Sequence, residues 1–423
     1  MTDAARVVRR THLLLILLTT LATSFIWGIN TLFLLDAGLS NAEAFAANAF
    51  FALGQVIFEV PTGVVADTRG RRLSFMLGAG TLLLSTLLYL LMWNLHAPFW
   101  GWAIASVLLG LGYTFFSGAT EAWLVDALAA TGFTGDLESV FGRALVVGGG
   151  AMLFGSVAGG FVAQLTDLGV PYILRAGMLG VTLVIAWWFM HDLGFTPQRG
   201  VTPVTAVRTV ISGAVDGGLR NRPVRWLMLA APFSVGVGFY AFYALQPYLL
   251  ELYGDSGAYG IAGLAAAVVA GAQIVGGLTV PLVRRLFRRR TDALITAGVL
   301  TVVLLVLIGL TDSFLIALIL MTGWALIGAI EEPMRQAFIN GLIPSQQRAT
   351  VLSFDSLVGS GGGVVAQPAL GRMADVFGYP ASYVASGAIQ ALAVPFAVLA
   401  RRERAVSDPI GANPDPEPAV GVG

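Results

Sequence analysis

Apolar residues recur in twelve stretches of nearly bilayer length, and the polar breaks between them are short. About 20 apolar residues carry a helix across roughly 30 Å of hydrocarbon. The pattern predicts spans at Leu13–Leu35, Ala42–Val65, Leu73–Trp93, Trp100–Ala127, Arg143–Ala163, Tyr172–Met190, Val224–Leu250, Ile261–Val283, Leu294–Leu310, Leu315–Gly341, Leu352–Gly371 and Ala381–Leu399. The expected fold class is an all-α membrane protein. The longest break, His191–Arg225, carries Pro197, Pro203 and Pro223 around an amphipathic piece, Val204–Val215. A short helix of that kind suits the membrane interface. Residues 1–190 and 224–402 are then two six-helix bundles joined by a linker over 191–223. The Pro- and Gly-rich end, 403–423, is expected to be disordered.

Charge placement orients these spans. Every basic residue is Arg, and all but Arg175 and Arg372 fall on one side of the predicted array. Arg-rich loops stay cytoplasmic, so both termini are expected on the cytoplasmic side of an inner membrane. The apolar run after Arg9 and Arg10 is too long for the core of a cleaved signal, and no small-residue cleavage site follows it, so it reads as the first span.

Composition narrows the function classes. Charged residues make up 11% against about 25% in soluble domains. With no Cys, thiol catalysis, disulfides and Cys-based metal sites are excluded. His12, His96 and His191 are not spaced as a metal pair. A net charge of 0 argues against nucleic acid as a partner. No nucleophile–base arrangement or nucleotide loop stands out, so an enzyme is not expected.

The two halves repeat at a nearly constant offset. Gly118-Ala119-x-Glu121 matches Gly328-Ala329-x-Glu331, with 331 − 121 = 210. Gly169-x-Pro171 matches Gly378-x-Pro380, with 380 − 171 = 209, and Gly28 matches Gly238, again 210 apart. Parallel repeats of this size build transporters whose substrate site lies between the halves.

After the second span stands Gly63-Val-Val-Ala-Asp67-Thr-Arg69-Gly70-Arg71-Arg72. It resembles the G-x-x-x-D-[RK]-x-G-[RK]-[RK] signature of the major facilitator superfamily, with Thr68 where a basic residue is usual. The resemblance extends over all twelve spans and implies two pseudo-symmetric six-helix bundles. It implies a cytoplasmic gate in which Gly63 permits close helix approach. Asp67 would face the N-terminus of span eleven near Ser353, and Arg71 and Arg72 would pair with Asp126. The alternative is that these Arg residues only set topology. The mirror loop Arg284-Arg285-Leu-Phe-Arg288-Arg289-Arg290 has no Asp at the corresponding place.

Gly142, Ala151, Gly155-Ser156 and Gly159-Gly160 in span five resemble the G-x8-G-x3-G-P-x2-G-G pattern of antiporter-type members, with Ala for one Gly and Ser156 for the Pro. In the family that pattern marks exporters; ordinary small-residue packing is the alternative. The span-four Arg of many drug:proton antiporters is absent around Leu108-Leu-Gly110-Leu-Gly112. Phe58-Glu59-Val-Pro61-Thr-Gly63, Ser117-Gly118-Ala-Thr-Glu121 and Arg348-Ala-Thr-Val-Leu-Ser353 are similar to a bacterial subgroup of drug or metabolite exporters.

Glu59, Glu121 and Glu331 fall within predicted spans, where a charge costs several kcal/mol unless it is paired, protonated or wet. They are the proton-coupling candidates, Glu121 first and Glu59 second. Fixed structural hydrogen bonding is the alternative, and it is favoured for Glu331 because Arg335 follows one turn later. The resemblance places spans one, four, seven and ten around a cavity. Its candidate walls are Trp27, Asn30, Phe33, Tyr113, Phe116, Tyr240, Tyr243, Gln246 and Trp324. Such walls suit amphiphilic or cationic compounds, and no cavity Arg for a phosphate is evident. The reading is a monomeric, proton-coupled exporter in the lipid bilayer that moves a small-molecule substrate by alternating access. It needs no cofactor beyond the proton gradient. Nutrient import and a non-transporting sensor or scaffold on the same fold are the rivals.

Overall fold

The computed structural model describes residues 2–197, 200 and 202–410 and is entirely helical apart from turns and one isolated bridge. The helices are α1 (Asp3–Trp27), α2 (Asn30–Asp36), α3 (Asn41–Arg69), α4 (Arg71–Leu95), α5 (Phe99–Thr114), α6 (Ala119–Ala130), α7 (Leu137–Leu165) and α8 (Val170–Phe189). There follow α9 (Pro203–Gly213), α10 (Arg222–Tyr253), α11 (Tyr259–Val283), α12 (Arg290–Leu310), α13 (Phe314–Asn340), α14 (Ser345–Ala391) and α15 (Ala393–Arg402). Local chemistry sets several starts. Ser40 and Glu43 close a reciprocal capping box on α3, and Asp136 accepts from the Glu138 and Ser139 amides at the start of α7.

Eleven segments among the described residues are long and apolar enough to cross a membrane. The last, Thr350–Arg402, is 53 residues long. At 1.5 Å per residue an unbroken helix of that length would run about 80 Å, more than twice the hydrocarbon thickness. It is not unbroken. Gly378 lies at φ 81°, ψ 167°, a conformation that ends one helix and starts another.

Two other apolar segments are also interrupted. The expected first span, Leu13–Leu35, breaks at Gly28 and Ile29, where α11 approaches so closely that a Cβ on Gly28 would lie 3.1 Å from Ala266 Cβ. The expected fourth span, Trp100–Ala127, is two helices separated by a turn at residues 115–118, with Gly118 at φ 66°. The freed Phe115 carbonyl accepts a 2.8 Å hydrogen bond from Ser74 Oγ. This repair is what hydrocarbon requires of a broken helix.

Small residues set the helix packing. α7 runs between α1 and α11. A Cβ on Gly155 would strike Ser24 Oγ, one on Gly159 would strike the Phe25 backbone, and one on Gly160 would lie 2.6 Å from the Tyr259 carbonyl oxygen. α10 and α14 approach equally closely at Gly236 and Gly362. At the arginine-poor ends, side chains tie the first half of the chain to the second. Asp375 accepts from the Asn41 and Ala42 amides at 2.8 and 3.0 Å, capping α3 from α14. The Tyr379 hydroxyl donates to Asn41 Oδ1. Gln164 Oε1 accepts from the Gly260 amide at 2.9 Å. This end of the molecule is closed.

At the arginine-rich ends, α9 packs against α14, with Gly213 over Thr350. The tail expected to be disordered from residue 403 is docked as far as residue 410. Asp408 accepts from the Thr291 amide and hydroxyl at 2.9 Å, and Ser407 Oγ donates to the Phe338 carbonyl. The physical reason is the set of free N–H groups in the first turn of α12, which Asp408 caps. Residues 411–423, the rest of that expected tail, and Arg199, one of the basic residues used to orient the chain, lie outside the described residues.

The Gly159 contact is with backbone, which no rotamer change relieves. Gly159→Val is expected to destabilise the protein by about 1–3 kcal/mol, whereas Gly142→Ala, with open space at its Cβ position, changes stability by less than about 0.5 kcal/mol. Thermal unfolding in detergent checks both. Equal midpoints for the two variants would remove the close approach from the account.

Candidate functional site

A cleft of about 660 Å³ lies between α1, α6, α7 and α11. His12, Thr20 and Trp27 contribute from α1, Glu121 from α6, Gly148 and Met152 from α7, and Gln273 from α11. Its wall runs from Phe141, near the arginine-rich ends, to Trp27. Trp27 is also in the wall of a second cavity, of about 220 Å³, with Thr23, Asn30, Asn48, Tyr113, Arg175 and Tyr243. A third, of about 410 Å³, lies where α3 and the 115–118 turn face α14 and contains Glu59, Tyr113, Ser117, Ser353 and Ser356.

The three carboxylates are in different situations. Glu121 sits in the first turn of α6, exposed on the cleft wall, with no ion-pair partner among the described residues. Of the three ways to carry such a charge, paired, protonated or wet, its exposure on the cleft wall fits the last. Its place in the first turn of α6 sets it at the positive end of that helix. Glu59 accepts a 2.6 Å hydrogen bond from Ser117 Oγ in the helix break. Glu331 lines a separate cavity of about 190 Å³ inside the second half. Its expected partner, Arg335, is engaged elsewhere: the Arg335 guanidinium makes a two-pronged ion pair to Asp355 on α14, at 2.7 and 2.6 Å. A planar fork matches a carboxylate in that way, and a residue on the neighbouring helix offers better geometry than one a turn along the same helix.

The predicted aromatic wall is only partly a wall. Trp27 and Tyr243 line cavities, and Trp27 stacks on Phe242 with centroids 4.4 Å apart. Tyr113 lines two cavities and shares a 2.9 Å hydrogen bond with Thr23. Asn30 lines one, donates to Asn48 Oδ1 at 2.9 Å and accepts from the Tyr172 hydroxyl. The others face elsewhere. Phe33 is fully buried in an aromatic cluster, 4.0 Å from the Tyr172 ring centroid. Phe116 packs on Phe75, and Trp324 packs against the core of the second half. Tyr240 is core and donates 2.5 Å to Ser382. Gln246 is buried, donating to the Trp27 carbonyl and accepting from the Thr31 amide, both at 2.9 Å. It repairs the break between α1 and α2 instead of facing a cavity. Helical periodicity gives the burial of a position but not which neighbour covers it.

The loop motif also differs from expectation. Asp67 pairs with Arg71 at 2.6 Å, within the loop, and not with the N-terminus of α14. Arg72 turns to α8 and the chain after it: its amide donates to Asp192 Oδ1 at 2.8 Å and its guanidinium to the Trp187 carbonyl at 2.5 Å. Asp192 takes the place expected for Asp126, because Gly70, at φ 114°, brings the start of α4 against the Asp192 carboxylate. Arg69 is exposed. Gly63 has open space where its Cβ would be, so it makes no close helix approach here. In the span-five motif, Gly155, Gly159 and Gly160 are close-approach positions and Gly142 is open. Ser156 Oγ donates to the Met152 carbonyl one turn back.

Three residues were missed by sequence reasoning. Arg175 was read as one of two Arg residues on the outer side, and no cavity Arg was expected. It is instead 1% exposed, donating to Thr86 Oγ1 at 3.0 Å and to the Ala22 carbonyl at 3.1 Å. Its only sequence signal was its break with the charge rule. His12 is buried in the cleft wall with Nδ1 unpartnered. Asn48 is buried with Nδ2 unpartnered. Nothing in the local sequence marked either. Among the described residues no cluster of His, Asp and Glu is arranged to hold a metal ion.

Removing one member of the buried Arg335–Asp355 pair leaves the other charge uncompensated. Asp355→Leu or Arg335→Leu alone is expected to cost about 3–5 kcal/mol, and the double variant less than either. Denaturation of the three variants in detergent checks this; additive losses would mean the pair carries no coupling.

The architecture and the cavities can be set beside known proteins. The sequence profile of the Major Facilitator Superfamily matches residues 13–289. An uncharacterized MFS-type transporter of Methanocaldococcus jannaschii is 24% identical over 228 residues, 54% of this chain and 56% of that protein, so the chain spans little more than half of that relative's length. Among solved structures, a variant of the nucleoside transporter NupG superposes with a TM-score of 0.75 at 11% identity, covering 93% of this chain and 99% of that one. The D-xylose–proton symporter does so at 0.64 and 16%, covering 93% and 96%. The human organic anion transporter MFSD10 does so at 0.62 and 14%, covering 94% and 100%. At these identities the likeness is one of fold. The profile match extends over well more than half of the chain, which therefore belongs to the major facilitator superfamily of membrane transporters.

Proposed function

We propose that this chain is a monomeric secondary active transporter that exports small amphiphilic compounds in exchange for protons. The observation that carries the reading is the 660 Å³ cleft between elements of the first and second halves, beside an opposite end closed by Asp375, Tyr379 and Gln246. A cavity closed at one end and walled by both halves is what alternating access requires. Counting the segment broken at Gly378 as two crossings makes twelve in two bundles of six. The linker spans 191–223, and both termini face the cytoplasm of a bacterial inner membrane.

Glu121 is the proton carrier in this reading, with Glu59 as a second site. Glu121 stands on the cleft wall at the start of a half-helix, near the unpartnered His12. Rocking the halves together would strip its water, and a desolvated carboxylate takes up a proton. The close-approach glycines on α7 support export through their resemblance to the antiporter pattern. Arg175 in the wall of the 220 Å³ cavity weighs against a cationic substrate, which the aromatic walls by themselves would suit.

In liposomes carrying an internal pH dye, substrate addition is expected to move protons opposite to the substrate, and Glu121→Gln to abolish that movement while the protein stays folded. Protons moving with the substrate would make it an importer. No flux for any neutral, anionic or cationic amphiphile would favour a sensor or scaffold.

The chain has no Cys, so Thr20→Cys reports cleft access without background. Removing the Asp375 cap forfeits about 0.5–2 kcal/mol from the closed end. Asp375→Ala is therefore expected to raise labelling of Thr20→Cys from the arginine-poor side about 2- to 30-fold. Unchanged labelling would show that this cap does not hold the closed state.

A further inference from the structure

Arg175 is a charge buried without a counter-ion. Its Nε and Nη1 are used by Thr86 and the Ala22 carbonyl, while Nη2 has no partner. No Asp or Glu among the described residues is within ion-pair distance of it, and none lines the 220 Å³ cavity that it borders. Burying a guanidinium costs several kcal/mol unless an anion faces it. Arg335, a half-buried cation of the second half, has its carboxylate, Asp355.

Two further polar groups of the cavity have unused donors, while Thr23 and Tyr113 share a hydrogen bond with each other. Asn48 Nδ2, from α3, is also buried and unpartnered. The Tyr243 hydroxyl, from α10, makes no hydrogen bond among the described residues. Asn30 is committed on both sides, to Asn48 and Tyr172. Three residues with unused donors, from α8, α3 and α10, thus line one small cavity together with Trp27, Phe51 and Tyr113.

We propose that this cavity binds the carboxylate of an amphiphilic organic acid, held by Arg175 and Asn48, with its apolar body passing along Trp27 into the larger cleft. That the acid is also the transported compound rests on the transport reading above; the binding site itself does not. A volume of about 220 Å³ is below the usual range of about 300–1,000 Å³ for a whole ligand. It holds a carboxylate with its adjoining ring or methylenes, and the 660 Å³ cleft that shares Trp27 takes the rest. The planar guanidinium fits a carboxylate by shape as well as charge. The aromatic rim favours an aryl acid over a fatty acid from the membrane.

The test is calorimetric titration of the purified full chain in detergent with benzoate, benzamide, benzylammonium and decanoate, without any flux measurement. Benzoate is expected to bind one per chain and at least about 10-fold more tightly than the neutral or cationic analogue. Benzoate tighter than decanoate assigns the site to a soluble aryl acid; the reverse order overturns that part and points to a fatty acid. Arg175→Gln is expected to lose at least about 10-fold in benzoate affinity, with Arg175→Lys in between because it keeps charge but not the fork. Should the Arg175 variants not fold, Asn48→Ala decides, with an expected loss of about 3- to 10-fold. Equal binding of the three benzyl-type probes, no binding of benzoate to the wild type, or unchanged affinity in Arg175→Gln or folded Asn48→Ala would overturn the proposal. Binding without flux in liposomes would leave it standing and sink only the transport reading.

Discussion

Hydrocarbon offers a backbone amide or carbonyl no partner, so every interruption of a membrane helix must be repaired by the protein itself. The rest of this structure depends on that constraint. Where α1 gives way to α2, Gln246 reaches across from α10 to take the Trp27 carbonyl and the Thr31 amide. Where α5 gives way to α6, Ser74 takes the Phe115 carbonyl. Each repair ties one helix to another, so a break is also a joint. The same breaks carry the candidate chemistry: Trp27 stands at the first, and Ser117, Glu59 and Glu121 gather around the second.

Close packing supplies the complementary constraint. With no water to drive helices together, association relies on contact, and contact relies on residues without side chains. Gly155, Gly159 and Gly160 let α7 approach α1 on one side and α11 on the other. That makes α7 a shared wall between elements of both halves, and the large cleft opens directly beside it. In the proposed transport cycle, small shifts of α11 against α7 would change the cleft without unpacking α1.

Charge is distributed by the same economy. Arg335 and Asp355 neutralise each other inside the second half, and Arg71 and Asp67 do so at the membrane surface. Among the described residues Arg175 has no such partner, although it is 1% exposed. A structural ion pair satisfies itself, whereas burying an unmatched cation costs several kcal/mol. The contrast is between Arg335 of the second half, matched by Asp355, and Arg175 of the first half, whose Nη2 has no partner among the described residues.

Which parts were legible in sequence follows from the range of the forces involved. Membrane spans are encoded locally, by runs of apolar residues whose length must match the bilayer, so their positions and the arginine-rich side could be read directly. The helix break at Gly378 was foreshadowed by the gap between the last two expected spans, and the family by the motif from Gly63 to Arg72. Partners were not legible, because they lie on other helices. Sequence spacing paired Arg335 with Glu331, and the family resemblance paired Arg72 with Asp126; in the fold Arg335 meets Asp355, and Arg72 gives its guanidinium to the Trp187 carbonyl and its amide to Asp192. Phe33, Tyr240 and Trp324 share the periodicity of cavity residues, yet neighbouring helices cover them. Arg175 looked like a surface charge until α8 packed against α1 and α4 and turned it inward. The sequence by itself determined what dissolves in lipid and which face carries the arginines. Only the tertiary structure decided which polar groups meet, because a hydrogen bond or ion pair needs its partner within about 3 Å and nothing local sets that distance.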